Sequence, residues 1–247
     1  MRFQCSTIES GKGKIFGIFF FPEEIKNKIP IILTHGLADN LNQYPLPQIT
    51  RELIRNGFVV FRFDFRGCGS SGGDQEDYCI SSQIEDLAKV IEFVKQKTGS
   101  KKVGIISKSI SCVASFIVAS KRNDVAFLIA LGAPLNLEKY WKEEEIKIAR
   151  EKGYIFYKGF KYGYKLAKEM KEFKEKYKEA LRKIIMPVLL IRGEKDESVS
   201  LDETEKIFSF LASKNKKLIE IKNADHSFKK EEKNLSDLIT SILSFVQ

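Results

Sequence analysis

Three serines stand in a short turn between an apolar strand and a helix, and this turn carries the strongest chemical signal of the sequence. Residues 103–106 (VGII) form an apolar run typical of a buried strand, and apolar residues recur at helical spacing after residue 112. A strained strand-to-helix turn can push a serine hydroxyl off the edge of a parallel sheet and place it at a helix N-terminus, where it can act as a nucleophile. The three serines are Ser107, Ser109 and Ser111.

The spacing of small residues distinguishes between these serines. The usual G-x-S-x-G pattern has a small residue two positions before and two positions after the nucleophile, because strand and helix crowd the turn. Ser109 has Ser107 and Ser111 at those positions, whereas Ser107 would need Ile105 to be small and Ser111 would need Val113 to be small. We therefore predict Ser109 as the nucleophile. The alternative role for a serine here is that of a helix N-cap.

A serine hydroxyl is a weak nucleophile at neutral pH and needs a neighbouring base. The chain has two histidines, His35 and His226. Histidine, with an ordinary pKa of about 6.5, suits this task, and a carboxylate must then fix its orientation. The order Ser109, Asp196, His226 along the chain is the order of the α/β-hydrolases and differs from that of chymotrypsin-like proteins.

Strands that alternate with helices must position these side chains. The alternation predicts an α/β fold with a mostly parallel, doubly wound sheet, whose chemistry lies outside the carboxyl ends of the strands. Serine followed three residues later by glutamate predicts capping boxes that start two helices, at Ser82–Glu85 and Ser200–Glu203. The expected strands cover residues 2–8, 14–21, 30–34, 58–64, 103–106, 126–131, 188–191 and 217–221.

The alternation stops between residues 136 and 183. Two charged helical stretches flank an aromatic, glycine-containing segment at residues 153–164 that is typical of a hairpin. We predict a core of residues 1–135 and 184–247 with an inserted cap at 136–183, since a plain connection of this length is uncommon. The cap's aromatic residues either roof an apolar acyl or aryl pocket or form the cap's own core. We expect substrate contacts from Trp141, Tyr157 and Tyr162.

Five segments of the chain match, in order, the motifs of a known superfamily. They are residues 35–37 (HGL), 64–71 (DFRGCGSS), the serine turn, 190–196 (LIRGEKD) and 224–228 (ADHSF). Together they resemble the α/β-hydrolases of the serine-esterase type over nearly the full length of the chain. Within this superfamily, the short cap with its aromatic hairpin is similar to cinnamoyl (feruloyl) esterases, monoacylglycerol lipases and serine aminopeptidases.

The resemblance implies a role for each residue of the expected site. Ser109 would be the nucleophile, His226 the base and Asp196 the acid that orients the base. The backbone N–H groups of Leu37 and Ile110, the latter directly after the nucleophile, would form an oxyanion hole. No metal ion and no organic cofactor are implied.

The serine turn departs from the family pattern at several positions. Ser107 and Ser111 replace two glycines, and Lys108 stands where histidine is frequent. Lys108 either favours an anionic substrate or points into solvent, and we expect the second. The altered turn also leaves open a protein of this fold that binds a ligand without turning it over.

The amino-acid composition limits the kinds of partner that the protein is expected to bind. The chain of 247 residues is 43% hydrophobic and 30% charged, with a net charge of +9. In the cap, lysines are mixed with glutamates at helical spacing, which indicates a solvated helix face and not a nucleic-acid surface. No stretch approaches the ~18–20 apolar residues of a membrane span, and the N-terminus lacks the apolar core of a signal peptide, so we expect a cytoplasmic protein. The four cysteines lack C-x-x-C spacing, which argues against a zinc or redox site.

These observations combine into the expectation of a serine carboxylic-ester hydrolase that acts through an acyl-enzyme on small to medium acyl or aryl esters. A thioesterase or a serine aminopeptidase with the same triad is the alternative among enzymes. Acidic residues would hold the substrate ammonium of an aminopeptidase, with Glu143, Glu144 and Glu145 as weak candidates. A non-catalytic ligand-binding protein is the alternative outside enzymes. The oligomeric state does not follow from the sequence, which leaves a homodimer open.

Overall fold

One mixed sheet of eight strands with helices on both faces organises the chain. The computed structural model describes residues 2–11, 13–229 and 231–247. The strands of the sheet are β1 (Arg2–Ser10), β2 (Gly13–Phe21), β3 (Ile31–Thr34), β4 (Val60–Phe63), β5 (Val103–Lys108), β6 (Val125–Leu131), β9 (Val188–Gly193) and β10 (Lys216–Ile221). Their order is β1-β2-β4-β3-β5-β6-β9-β10. β2 pairs antiparallel with β1 and with β4, and all the other neighbouring strands pair parallel. The predicted mostly parallel sheet is confirmed.

Helices and one separate hairpin complete the chain. The hairpin consists of β7 (Tyr154–Tyr157) and β8 (Phe160–Gly163), which pair antiparallel outside the main sheet. The helices are α1 (Leu46–Arg55), α2 (Ile80–Thr98), α3 (Ser111–Ala119), α4 (Glu143–Lys152), α5 (Tyr164–Leu181), α6 (Leu201–Phe210) and α7 (Glu232–Val246), with short 3-10 turns at Gln75–Asp77 and Leu137–Tyr140. Over the described ranges, none of the helices combines the length and apolarity that a membrane crossing requires.

The strand and helix on either side of the serine turn are the most enclosed elements of the fold. β5 lies between β3 and β6, and all six of its residues are buried. Its side chains alternate between two cores, so that Ile105 packs with residues of α2 and α3 while Ile106 packs with residues of α1 and α7. All nine residues of α3 are buried. Because both elements are held on every side, the turn between them has little freedom.

The two predicted capping boxes have different outcomes. Ser200 starts α6 as expected: its hydroxyl accepts from the Glu203 N–H at 3.2 Å, and the Glu203 carboxylate accepts from the Ser200 N–H at 3.2 Å. The box at Ser82–Glu85 is wrong, because the residue that caps α2 lies three positions before Ser82. Cys79, with an extended backbone, is the residue before the helix, and its N–H donates to the Ser82 hydroxyl at 2.9 Å.

Residues 136–183 leave the sheet after β6 and return to it at β9, and buried carboxylates fasten the start of this segment and its long helix. At the start, Glu203 of α6 accepts a hydrogen bond from the N–H of Asn136 at 2.8 Å. Farther along, Glu169 of α5 accepts from the N–H and the hydroxyl of Ser81, at 2.8 and 2.7 Å. α5 also packs against α3. This segment is therefore attached to the helices next to the serine turn.

Gly104 in β5 lies against the ring of Phe127 in β6, and a Cβ added at Gly104 would stand 2.1 Å from Phe127 Cζ. We expect Gly104→Ala to lower the free energy of unfolding by about 1–3 kcal/mol, because the methyl group overpacks the sheet. The same substitution in a Phe127→Leu background should cost less. Urea denaturation of the four proteins measures both effects. Equal losses in the two backgrounds would contradict this assignment.

Candidate active site

The turn after β5 places Ser109 in a backbone conformation that serine rarely adopts. Its φ is 57°, in the left-handed region that favours glycine. The N–H of Ser109 donates to the carbonyl of Leu131 at 2.8 Å, and its own carbonyl accepts from the N–H of Cys112 at 3.0 Å. These bonds tie the turn to β6 on one side and to α3 on the other. The side chain is 9% exposed.

The two flanking serines use their hydroxyls inside the protein. Ser107 Oγ lies 2.5 Å from Ser115 Oγ of α3. Ser111 Oγ donates to the Lys108 carbonyl at 2.9 Å and lies 2.7 Å from Thr34 Oγ1. Serine can therefore replace glycine at both positions, because each added hydroxyl has a buried partner.

The structure brings Ser109, His226 and Asp196 into one hydrogen-bonded chain. His226 Nε2 lies 3.0 Å from Ser109 Oγ, and His226 Nδ1 lies 2.7 Å from Asp196 Oδ2. The other carboxylate oxygen of Asp196 accepts from the N–H groups of Ser198 and Val199, both at 2.8 Å. Burial would raise the pKa of Asp196, but the hydrogen bond and charge of His226, together with these two N–H groups, hold the pKa below its ordinary value.

The loop after β3 contributes a second set of groups beside the serine. A Cβ at Gly36 would lie 3.1 Å from the Ser109 Cβ, so glycine permits the close approach of this loop. Gln43 accepts from the Gly36 N–H at 2.7 Å and fixes the loop. Within the described part of the chain, neither the Leu37 N–H nor the Ile110 N–H donates to a protein atom. Both amides are thus free to bind a ligand.

His35, the second histidine of the chain, belongs to the loop and not to the chain of bonds at Ser109. It is fully buried, and its Nε2 accepts from the N–H of Phe65 at 3.1 Å. Burial lowers its pKa, which favours the neutral ring. His35 therefore helps to hold the loop that carries Leu37.

A family model matches residues 26–158, which is more than half of the chain and includes Ser109. Its description is Hydrolase_4, Serine aminopeptidase, S33. The chain belongs to this family. It is a serine hydrolase of the α/β-hydrolase fold, and the superfamily that the sequence motifs indicate is confirmed.

Curated relatives of this Hydrolase_4 chain are bacterial proteins named acyl transferase. The protein from Photobacterium phosphoreum is 27% identical over 113 residues, which are 45% of this chain and 36% of the relative. The protein from Vibrio harveyi is 26% identical over 147 residues, which are 56% of this chain and 46% of the relative. The matches span less than half the length of these relatives.

Solved structures share the fold over nearly the whole chain. Est1E from Butyrivibrio proteoclasticus, solved with bound ferulic acid, has a TM-score of 0.80 at 17% identity, covering 98% of this chain and 99% of that one. The monoacylglycerol lipase of Paleococcus ferrophilus has a TM-score of 0.79 at 19% identity, covering 94% and 98%. At such identities the likeness establishes the architecture, and function must be argued from the site.

Tyr140 approaches the Ser109 hydroxyl, although the sequence places it only among the cap's aromatic residues. Burial and the neighbouring Tyr157 raise the pKa of Tyr140, and the nearby Ser109 hydroxyl acts in the opposite direction. The rings of Tyr140, Trp141 and Tyr157 pack together with centroids 5.9–6.2 Å apart. Trp141 is buried, and its Nε1 donates to the Phe156 carbonyl at 3.1 Å. Composition shows that residues 136–183 are rich in aromatic residues but does not show which ring lies near the serine.

Tyr162 lies apart from this three-ring cluster. It is fully buried against Tyr78, with ring centroids 5.6 Å apart. Burial raises its pKa. Among the described residues its hydroxyl has no hydrogen-bond partner. Tyr162 is therefore a buried packing residue in this structure, and a substrate contact by Tyr162, Trp141 or Tyr157 stays a prediction.

Gly132, which the sequence indicates only as the end of a strand, has a specific place in the site. Its φ is 58°, and a Cβ there would lie 2.9 Å from His226 Cε1 and 3.3 Å from Asp196 Oδ2. Glycine is therefore required for the imidazole to occupy its position. The requirement comes from contact with a residue far away in the chain, so local sequence patterns contain little sign of it.

The expectation that Lys108 points into solvent is wrong. Its side chain is 1% exposed at the end of β5, and burial lowers its pKa. Asp39 and Asp196 act in the opposite direction on that pKa. The strand direction explains the burial, because Lys108 alternates with the inward-facing Ser107 in a strand that is covered on both faces.

The low pKa of Asp196 predicts how stability depends on pH. Because the folded-state pKa is lower than the ordinary value of about 3.9, the carboxylate stabilises the fold above that pH, and this contribution is lost as the pH falls through the folded-state pKa. The difference in unfolding free energy between wild type and Asp196→Asn should therefore be largest above about pH 5 and shrink toward pH 2. Urea denaturation at several pH values measures this difference. Asp202→Asn, at an exposed carboxylate of α6, is the control, and a pH-independent difference for Asp196→Asn would contradict the prediction.

Proposed function

We propose that the protein hydrolyses carboxylic esters through an acyl-enzyme on Ser109. The observation that carries the proposal is the chain of hydrogen bonds from Asp196 through His226 to the Ser109 hydroxyl, with the last step at 3.0 Å. This distance allows proton transfer between the imidazole and the serine. The free amides of Leu37 and Ile110 support the same assignment.

The proposed first half of the reaction forms the acyl-enzyme. His226 Nε2 accepts the proton of Ser109 as the oxygen attacks the ester carbonyl. The N–H groups of Leu37 and Ile110 would bind the oxyanion, and such donors typically contribute about 3–4 kcal/mol each to the transition state. Asp196 holds the ring and stabilises the imidazolium. His226 then donates the proton to the leaving alcohol as the carbon–oxygen bond breaks.

Water completes the cycle in the second half of the reaction. His226 accepts a proton from water as the water oxygen attacks the acyl carbon, and the Ser109 oxygen leaves with the proton that the imidazole returns. None of these steps uses a metal ion or an organic cofactor.

Aromatic residues of the segment 136–183, which we propose as a cap, suit an apolar acyl or aryl group. Tyr140 approaches Ser109, and Trp141 and Tyr157 pack behind it. Rings at this position can cover a hydrocarbon chain or stack on an aryl group. The ferulic acid in the Est1E structure is an example of an aryl ligand on this fold.

Acyl transfer is the second candidate function, and the names of the curated relatives favour it. The acyl-enzyme on Ser109 would be the same, with an alcohol or thiol taking the place of water. A thioester would acylate Ser109 by the same steps. Product analysis with added glycerol distinguishes the two, because transfer yields a glycerol ester where hydrolysis yields only free acid.

Aminopeptidase activity, which the family description suggests, has less support from the charges near Ser109. Such an enzyme needs carboxylates to hold the ammonium of its substrate. Glu143 and Glu144 lie with residues of α5 along a surface groove, and Glu145 accepts from the Lys142 N–H at the start of α4. The cation next to the serine, Lys108, would repel an ammonium group.

Removal of Ser109 or His226 tests the proposal directly. Wild type should release p-nitrophenol from p-nitrophenyl acetate with an initial burst, and Ser109→Ala or His226→Ala should lower kcat by about 10⁴-fold or more. A fluorophosphonate should label the wild type on Ser109, as located by peptide mass spectrometry. Ser120→Ala, at the end of α3, is the matched serine control and should keep full activity.

The same experiment can reject the proposal. Folded wild-type protein that neither turns over esters nor reacts with the fluorophosphonate would favour a ligand-binding protein on the hydrolase fold. Labelling of Ser107 or Ser111 in place of Ser109 would overturn the assignment of the nucleophile.

The position of His226 is tested through Gly132. Gly132→Ala should lower kcat/KM by about 100-fold, because displacement of a catalytic group by about 1 Å has an effect of this size. Gly99→Ala is the matched control: Gly99 also has a positive φ, of 70°, but a Cβ there would meet nothing within 4 Å. Both variants should carry a similar backbone strain, and only the first should lose activity. Equal activities of the two variants would show that Gly132 does not position the imidazole.

A further inference from the structure

Lys108 is a buried cation next to the nucleophile that ester hydrolysis as proposed does not use. Its side chain is 1% exposed, and it occupies the last position of β5, directly before Ser109. Among the described residues, no hydrogen bond and no ion pair engages its ammonium group. Burial removes water from the ammonium group, and no protein group replaces the lost hydrogen bonds. Such a buried charge is unfavourable in free energy.

The surroundings of Lys108 contain carboxylates, but these are engaged elsewhere. Asp39 and Asp196 are near enough to act on the charge of Lys108, although neither forms an ion pair with it. Asp196 is bound to His226 and to two backbone N–H groups. Asp39, which is partly exposed, accepts from the Asn40 N–H at 3.0 Å. Neither of these carboxylates therefore neutralises the ammonium group by contact.

A second cation lies near enough to act on the charge of Lys108. Lys158, at the turn of the β7–β8 hairpin, also acts on the charge of Lys108 and makes its protonated form less favourable. The buried thiol of Cys112 in α3 acts on it as well. The groups that influence Lys108 thus come from the loop after β3, the loop after β9, α3 and the hairpin. Lys108 itself is the last residue of β5, at the carboxyl edge of the sheet.

We propose that Lys108 binds a carboxylate carried by the acyl part of the ester, so that the substrates are half-esters of dicarboxylic acids. This inference rests on the proposed ester hydrolysis and names its substrate class. One ammonium group matches the single charge of a carboxylate, whereas phosphate recognition commonly uses several donors or an arginine. A bound carboxylate would supply the missing hydrogen-bond partner and would raise the pKa that burial lowers.

The acyl side is favoured over the alcohol side by the position of His226. The leaving alcohol must lie beside the imidazole that protonates it. Asp39 belongs to the same loop as Leu37, whose amide is the proposed oxyanion donor, and it acts on Lys108 more strongly than Asp196, the partner of the imidazole. A carboxylate that reaches Lys108 along this loop belongs to the acyl group.

The test compares two esters with acyl groups of six carbons each, monomethyl adipate and methyl hexanoate, followed by proton release at constant pH. We expect wild type to prefer the anionic ester by at least about tenfold in kcat/KM. Lys108→Met keeps the length of the side chain and removes its charge, and it should reduce this preference by about 10–100-fold, the usual effect of losing a hydrogen bond to a charged group. Lys102→Met, at an exposed lysine just before the other end of β5, is the matched control and should leave the preference unchanged.

The outcomes separate this inference from the proposed function. Equal or better hydrolysis of methyl hexanoate by wild type overturns the carboxylate site while ester hydrolysis stands, and so does an unchanged preference in folded Lys108→Met. A preference for 4-acetoxybenzoate over phenyl acetate, without one for monomethyl adipate, overturns the acyl-side assignment. If the wild type hydrolyses none of these esters and is not labelled by the fluorophosphonate, both proposals are overturned. If Lys108→Met does not fold, the wild-type comparison still decides.

Discussion

The left-handed backbone at Ser109 determines where β5 ends, where α3 begins and which hydroxyl faces the histidine. A residue other than glycine in such a conformation carries a strain of order 1–3 kcal/mol, which persists only when the surroundings fix it. Here the N–H of Ser109 is bonded to β6, its carbonyl is bonded to α3, and the strand and helix on both sides are buried throughout. The free amide of Ile110 follows from the same turn.

Space around the turn is as important as the bonds within it. Gly36 lets the loop after β3 approach the serine, and Gly132 leaves room for the imidazole. Asp196 holds the imidazole from the far side, with its own orientation fixed by two backbone N–H groups. A substitution at any of these positions would displace Ser109 or its histidine, because each position contacts Ser109 directly or through His226 alone.

The sequence predicts the parts of this arrangement that depend on local pattern. The alternation of apolar strands and helices predicts the parallel sheet, and the order of motifs predicts that Ser109, Asp196 and His226 meet at one edge. Features that depend on distant contacts were not predictable. Lys108 is buried because its strand is covered on both faces, a property that the residues around it do not reveal. The capping box at Ser82 fits the local pattern equally well, but the extended backbone at Cys79 starts the helix earlier.

The two buried carboxylates that fasten residues 136–183 limit the movements that this segment can make. Glu203 holds the entry of this segment and Glu169 holds its long helix, so a swing of the whole segment would leave both carboxylates without their hydrogen bonds. Such a rigid-body opening is expensive. A movement of the hairpin tip costs less free energy. Phe156 and Phe160 are exposed there, and a Cβ added at Gly159 would meet no atom within 4 Å. Local movement is therefore easier at the few residues of this tip, which include Lys158, than in the segment as a whole.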